Sequence, residues 1–132
     1  MQKIRVQVRL LFGQGQTFGP GKADLLQMIG QHGSISAAGR AMGMSYRRAW
    51  SLVEEMNLAF ALPLVATERG GAGHGGAQVT KAGQAVLARY RALQVVLETA
   101  GEAELTAISA ALARLQESRL PTGQGDDMFG KT

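Results

Sequence analysis

The chain has 132 residues, of which 45% are apolar but only 5% aromatic, and it carries a net charge of +4. That suffices for one domain with a compact core of small packing units, a composition that favours helices. The absence of cysteine excludes disulfides and thiolate metal sites, and two well-separated histidines argue against a zinc centre. Charge divides unevenly: residues 1–97 hold eleven Lys/Arg against four acids, a net of +7, whereas residues 98–132 have a net of −3. The first part is the candidate partner for a polyanion. No apolar run is long enough to span a bilayer, and the basic start MQKIRVQVRLLF is interrupted by polar residues, unlike a signal-peptide core. A soluble, cytoplasmic protein with no membrane partner is expected.

Residues 3–12, KIRVQVRLLF, alternate apolar and polar with period two and predict a half-buried strand. GQGQTFGPG follows as a loop. Pro20 sits at the first turn of a predicted helix running to about His32, with Leu25, Leu26 and Ile29 as its stripe and Gly33 as its stop. Ser34 caps a short helix, ISAAGRAM, whose small residues permit close helix packing. Gly43 and Met44 make the turn. Ser45 then caps YRRAWSLVEEMNLAFA, in which Ala49, Val53, Met56 and Phe60 follow the rhythm of a buried face.

At about 100° per residue, Arg47, Ser51, Glu54 and Leu58 lie opposite that stripe, with Arg48 and Glu55 on a flank. Cations at a helix N-terminus oppose the macrodipole and cost a few tenths of a kcal/mol each. Two adjacent arginines in the first turn therefore call for a reason beyond chance exposure. Trp50, one position off the stripe, reads as a packing residue rather than a base-stacking one.

After Pro63, LVATER predicts a strand, the glycine-rich GGAGHGG a loop, and AQVT the returning strand of a hairpin. Thr80 caps KAGQAVLARYRALQVVLETA, where Val86, Tyr90, Leu93 and Leu97 recur at 4-3-4 spacing; beyond Gly101, Leu105, Ile108, Leu112 and Leu115 repeat the rhythm. Such a stripe serves either the chain's own core or a partner helix. With the earlier helices already supplying a core, it is read as a homodimer seam. From Glu117 the sequence is polar and rich in Gly and Pro, as expected of a disordered tail.

The element order predicts a mainly α fold with a small β-sheet: a winged helix-turn-helix over 1–80, a long dimerisation helix or helix pair over 81–117, and a tail over 118–132. In such domains the second helix of the motif enters the major groove by its N-terminal residues, and the wing lies along the backbone or minor groove.

GSISAAGRAMGMSYRRAWSLVEEMN, then PLV, then GGAGHGGAQVTKAGQAVLARYRAL resemble the DNA-binding domain of the molybdate-responsive (ModE-type) transcriptional regulators, a branch related to LysR-type helix-turn-helix domains. The resemblance covers roughly residues 3–95. It implies a DNA-reading third helix, a wing that also touches DNA, and dimerisation through the helix after the wing. Carried over, Ser45, Tyr46, Arg47, Arg48 and Ser51 face DNA, with Gly71, Gly73, His74, Gly75 and Gly76 in the wing. Double-stranded DNA is the expected partner, with a homodimer and room for a separate sensor protein. Lys22, Arg40, Arg69, Lys81 and the wing would meet phosphates, and Arg47, Arg48 and Ser51 would read bases. Arg40 reads equally as an ordinary surface residue, and His74 as an exposed loop residue. Full-length members continue into molybdate-binding barrels; the remaining ~35 residues here read as helix and tail and cannot build a five-stranded barrel. No molybdate-binding residue and no cofactor is therefore assigned.

Gly71, Gly73 and Gly76 also spell G-x-G-x-x-G, the dinucleotide fingerprint. That motif needs a helix N-terminus directly after the glycines and an acidic residue about twenty positions on, at the end of a parallel strand. AQVT follows instead, and Glu98 falls in a helical pattern. The scattered acids Asp24, Glu54, Glu55 and Glu68, and histidines without a partner, point away from an enzyme. The remaining alternative is a non-specific architectural DNA-binding protein.

Overall fold

The computed structural model describes residues 3–68 and 76–119, with side chains through residue 112. The elements are β1 (Leu10–Leu11), β2 (Thr17–Phe18), α1 (Pro20–His32), α2 (Ile35–Ala41), α3 (Tyr46–Ala59), β3 (Val65–Glu68), β4 (Gly76–Val79), α4 (Lys81–Ala100) and α5 (Glu102–Arg119). The chain divides into two compact units, Gln7–Gln94 and Met1–Val6 with Val95–Thr132. The division falls inside α4, after Gln94, so the larger part of that helix belongs with the unit that holds α1, α2 and α3.

In the unit 7–94, each helix start has a local cause. Pro20 stands at the first turn of α1, where a missing N–H costs nothing, and Gly33 ends the helix at φ 69° with its N–H on the Ile29 carbonyl. Ser34 and Ser45 cap α2 and α3 by accepting from the N–H groups of Ala37 and Arg48, each at 3.0 Å. Gly43, at φ 73°, makes the turn between them. The helices α2 and α3 come close because position 39 has no side chain: a Cβ there would stand 2.8 Å from the Ala49 Cβ. Phe18, Leu25, Leu26, Ile29, Val53 and Met56 fill the centre of the core.

Three expectations change. The alternation over 3–11 holds as alternating half-buried and exposed residues, yet only Leu10–Leu11 is a strand, paired with Thr17–Phe18 in a segment read as loop. Among the described residues no strand neighbours the upstream segment, and a side chain meets its backbone instead: the Tyr90 hydroxyl donates to the Val8 carbonyl. Phe60 is not on the α3 stripe. It lies past the helix end in extended conformation, edge-on to Phe12 and Phe18 at centroid distances of 5.7 and 6.0 Å, and Leu52 takes the buried helical place. Lastly, α5 carries on to Arg119, through residues assigned to the tail; residues 120–132 lie outside the described residues.

In the other unit, the Val6 N–H donates to the Glu98 carboxylate at 3.0 Å, and Gly101 separates α4 from α5. The helical spacing of hydrogen bonds persists across that glycine, from Gly101 to Leu97 and from Leu105 to Gly101, each 2.9 Å. A helix pair with a single-residue joint results.

Candidate nucleic-acid interface

The site begins with the α3 N-terminus. Ser45 turns the chain into the helix and satisfies one of its orphan N–H groups, so the first turn is held in place while its side chains stay outside. Tyr46, Arg47 and Arg48 are exposed, Tyr46 by 62%; Ser51 is half-buried. Among the described residues neither arginine forms an ion pair, and no acid stands in the first turn of α3 to offset them. Two unpaired cations at the positive end of a helix dipole attract anions from outside the chain. Tyr46 leans edge-on against Trp50, with ring centroids 6.1 Å apart, and the buried Trp50 indole nitrogen meets no acceptor among the described residues. Arg40, on α2 beside the Gly39 close approach, is exposed, as is Lys81 at the start of α4.

The hairpin follows α3 in the chain. Its strands pair antiparallel from Val65↔Val79 to Glu68↔Gly76. The Ala77 N–H donates to the Gly33 carbonyl at 3.0 Å, which ties β4 to the end of α1. Arg69, Gly71, Gly73, His74 and Gly75, the wing residues read from the sequence, lie outside the described residues; Gly76 opens β4.

Two of the expected residues have other work. Lys22 is 7% exposed, and its ammonium donates to the Thr17 carbonyl at 2.8 Å and pairs with Glu55 at 3.0 Å. Position 22 falls on the inner side of α1 next to β2, so its charge is neutralised within the protein and is not presented to a phosphate. Tyr90 is 3% exposed and packs edge-on to Phe18 at 5.1 Å, with its hydroxyl on Val8. It is a core residue rather than a seam residue, and burial pushes its phenol above the usual 10.0. Val86 and Leu93 are half-buried and line an apolar hollow of about 350 Å³ with Phe12, Phe18 and Phe60. Leu105 is also half-buried, and the Leu115 side chain lies outside the described residues. Leu97, Ile108 and Leu112 remain exposed by 37%, 52% and 37%, and Val95 and Val96, absent from the predicted seam, are exposed by 60% and 58%.

Sequence reasoning passed over Asn57. Its amide, at the end of α3, bonds three backbone atoms of the segment entering β3. No local signal in the sequence marks it, because Leu64 and Val65 lie beyond the turn at Pro63. Among the described residues no cluster of His, Cys, Asp or Glu could hold a metal, and no helix is long and apolar enough to cross a membrane.

Three helices with a glycine turn before the third, followed by a β-hairpin, make this chain a winged helix-turn-helix protein whose third helix begins with exposed arginines. No family model matches the chain. Among curated relatives, the molybdenum-pterin-binding protein MopB of Rhodobacter capsulatus is 44% identical over 80 residues, covering 61% of this chain and 30% of the relative. The molybdenum transport protein ModE of Azotobacter vinelandii is 38% identical over 76 residues, covering 58% and 28%. The DNA-binding transcriptional dual regulator ModE of Escherichia coli (strain K12) is 31% identical over 115 residues, covering 84% and 44%. The chain is thus similar over part of its length to ModE-type molybdenum proteins, and it spans less than half the length of these relatives. Among solved structures, the complex of the CbnR DNA-binding domain with DNA superposes at a TM-score of 0.49 and 23% identity, over 69% of this chain and 95% of that one.

Proposed function

We propose that this chain is a transcriptional regulator that binds duplex DNA sequence-specifically as a homodimer. The observation that carries the reading is the first turn of α3, capped by Ser45 and exposing Tyr46, Arg47 and Arg48 with no internal counter-charge among the described residues. A helix end of this kind fits the major groove, where arginine pairs bidentately with guanine and a flanking cation meets phosphate. Arg47, Arg48 and Ser51 read bases; Arg40, Lys81, Arg69, Gly73 and His74 follow the backbone. The names of the relatives support a link to molybdate or metal-oxyanion transport genes, with the signal received on this chain or on a separate sensor. Exposed Leu97, Ile108 and Leu112, with Val95 and Val96, offer the dimer its apolar surface.

The test is selection of bound duplexes from genomic fragments with and without molybdate, followed by competition against random duplex. A regulator keeps a preference of at least ~10³. On the selected duplex, Arg47→Ala costs about 1–3 kcal/mol and relaxes the preference at one base position. Unchanged affinity in that variant removes α3 from the groove. Equal binding of random duplex leaves an architectural protein instead.

A further inference from the structure

A recognition helix and a wing can grip one duplex only if the angle between them is held. In the unit 7–94 that angle depends on a few atoms. The Asn57 side-chain oxygen accepts from the Leu64 N–H at 2.8 Å and from the Val65 N–H at 3.1 Å, and its amide nitrogen donates to the Val65 carbonyl at 3.1 Å. β3 pairs with β4 along one edge, and among the described residues no strand lies beside its other edge. Asn57 supplies Val65 there with both an acceptor and a donor, as a third strand would. Because Asn57 belongs to α3, these bonds join the helix that carries Tyr46, Arg47 and Arg48 directly to the root of the hairpin.

We infer that Asn57 is a positioning residue for nucleic-acid binding: its amide sets the hairpin against the reading helix so that both engage the same duplex. Leu64, the first residue it holds, is fully buried, so the anchor point cannot slide along the surface. The second tether of that root comes from α4, where the Thr80 N–H donates to the Leu64 carbonyl at 3.0 Å and the Thr80 hydroxyl to the Pro63 carbonyl at 2.7 Å. With that tether intact, loss of Asn57 frees the orientation of β3 and leaves its attachment.

The inference rests on the DNA-binding reading, and the experiment separates the two. Hydroxyl-radical footprints of the wild type, Asn57→Ala and Asn57→Asp are compared on the selected duplex, at a temperature where circular dichroism shows all three folded. Aspartate keeps both acceptor bonds but turns an oxygen, in place of the donor, against the Val65 carbonyl; it is the second variant should Asn57→Ala fail to fold. In Asn57→Ala, protection of the central major-groove segment survives while protection on the flanks is lost, and the salt slope of binding falls by about 1 for each phosphate contact given up. Asn57→Asp lies between. A merely structural role would weaken all protected positions alike, so a uniform loss, or an unchanged footprint in Asn57→Ala, overturns the inference while the DNA reading stands. If the wild type protects no duplex, the DNA reading fails and this inference with it.

Discussion

Gly83, in the first turn of α4, sets two physical rules against each other. On helix propensity alone, Gly83→Ala should stabilise the protein by about 1 kcal/mol. The tertiary structure reverses the sign. A Cβ at position 83 would stand 2.3 Å from the Leu64 carbonyl oxygen and 2.8 Å from Val79 Cγ1. Because the nearest atom belongs to the backbone, it cannot rotate away, and the helix must lift from the hairpin root by about 1 Å to restore van der Waals contact. That lift strains the Thr80 N–H bond to Leu64 and the Thr80 cap on the Gly83 N–H, both 3.0 Å. Overpacking of this kind costs about 1–3 kcal/mol, and each weakened hydrogen bond adds up to about 1 kcal/mol. After the propensity gain, the net expectation is a destabilisation of about 2 kcal/mol, or a melting point lower by about 8–16 °C for a unit of this size. Thermal unfolding followed by circular dichroism measures it. A Gly83→Ala variant as stable as the wild type, or more so, would show that α4 does not press on β3 and refute the account of how the hairpin is seated.

Two further outcomes follow from side chains that turned inward. Lys22→Met keeps the length of the stem but leaves the Thr17 carbonyl without its donor, and should cost about 1–3 kcal/mol in urea unfolding. The salt slope of duplex binding should stay as it is; a fall of about 1 would mean that Lys22 meets a phosphate after all. Tyr90 supplies a pH dependence. Its folded phenol is held above 10.0 by burial, so the unfolded chain gives up that proton first. Stability that is complete below pH 10 should decline as the pH rises through the folded value, and Tyr90→Phe should flatten the decline while losing about 1 kcal/mol at neutral pH with the hydrogen bond to Val8. Melting curves at pH 8 and pH 11 decide the matter: equal slopes in the two proteins would place the titration elsewhere.

Sequence by itself determined what depends on neighbours along the chain. Serine caps, a proline at N1 and glycines at left-handed positions act within a few residues, and with them the bounds of α1, α2 and α4 and the exposed face of Arg47, Arg48 and Leu58 were legible. The reading of a hairpin after Pro63 was legible for the same reason. Tertiary structure decided everything that depends on which atoms come to lie beside a segment. An alternating stretch becomes a strand only where another strand offers hydrogen bonds, so KIRVQVRLLF shrank to Leu10–Leu11. Helical periodicity marks a buried face without saying what buries it, and Tyr90 therefore read as a seam although Phe18 covers it. A lysine in a basic half looks like a phosphate ligand until Glu55, 33 positions away in the chain, is found 3.0 Å from its ammonium. Asn57 carries no local signature, because its partners Leu64 and Val65 reach it only after the chain has turned back past Pro63.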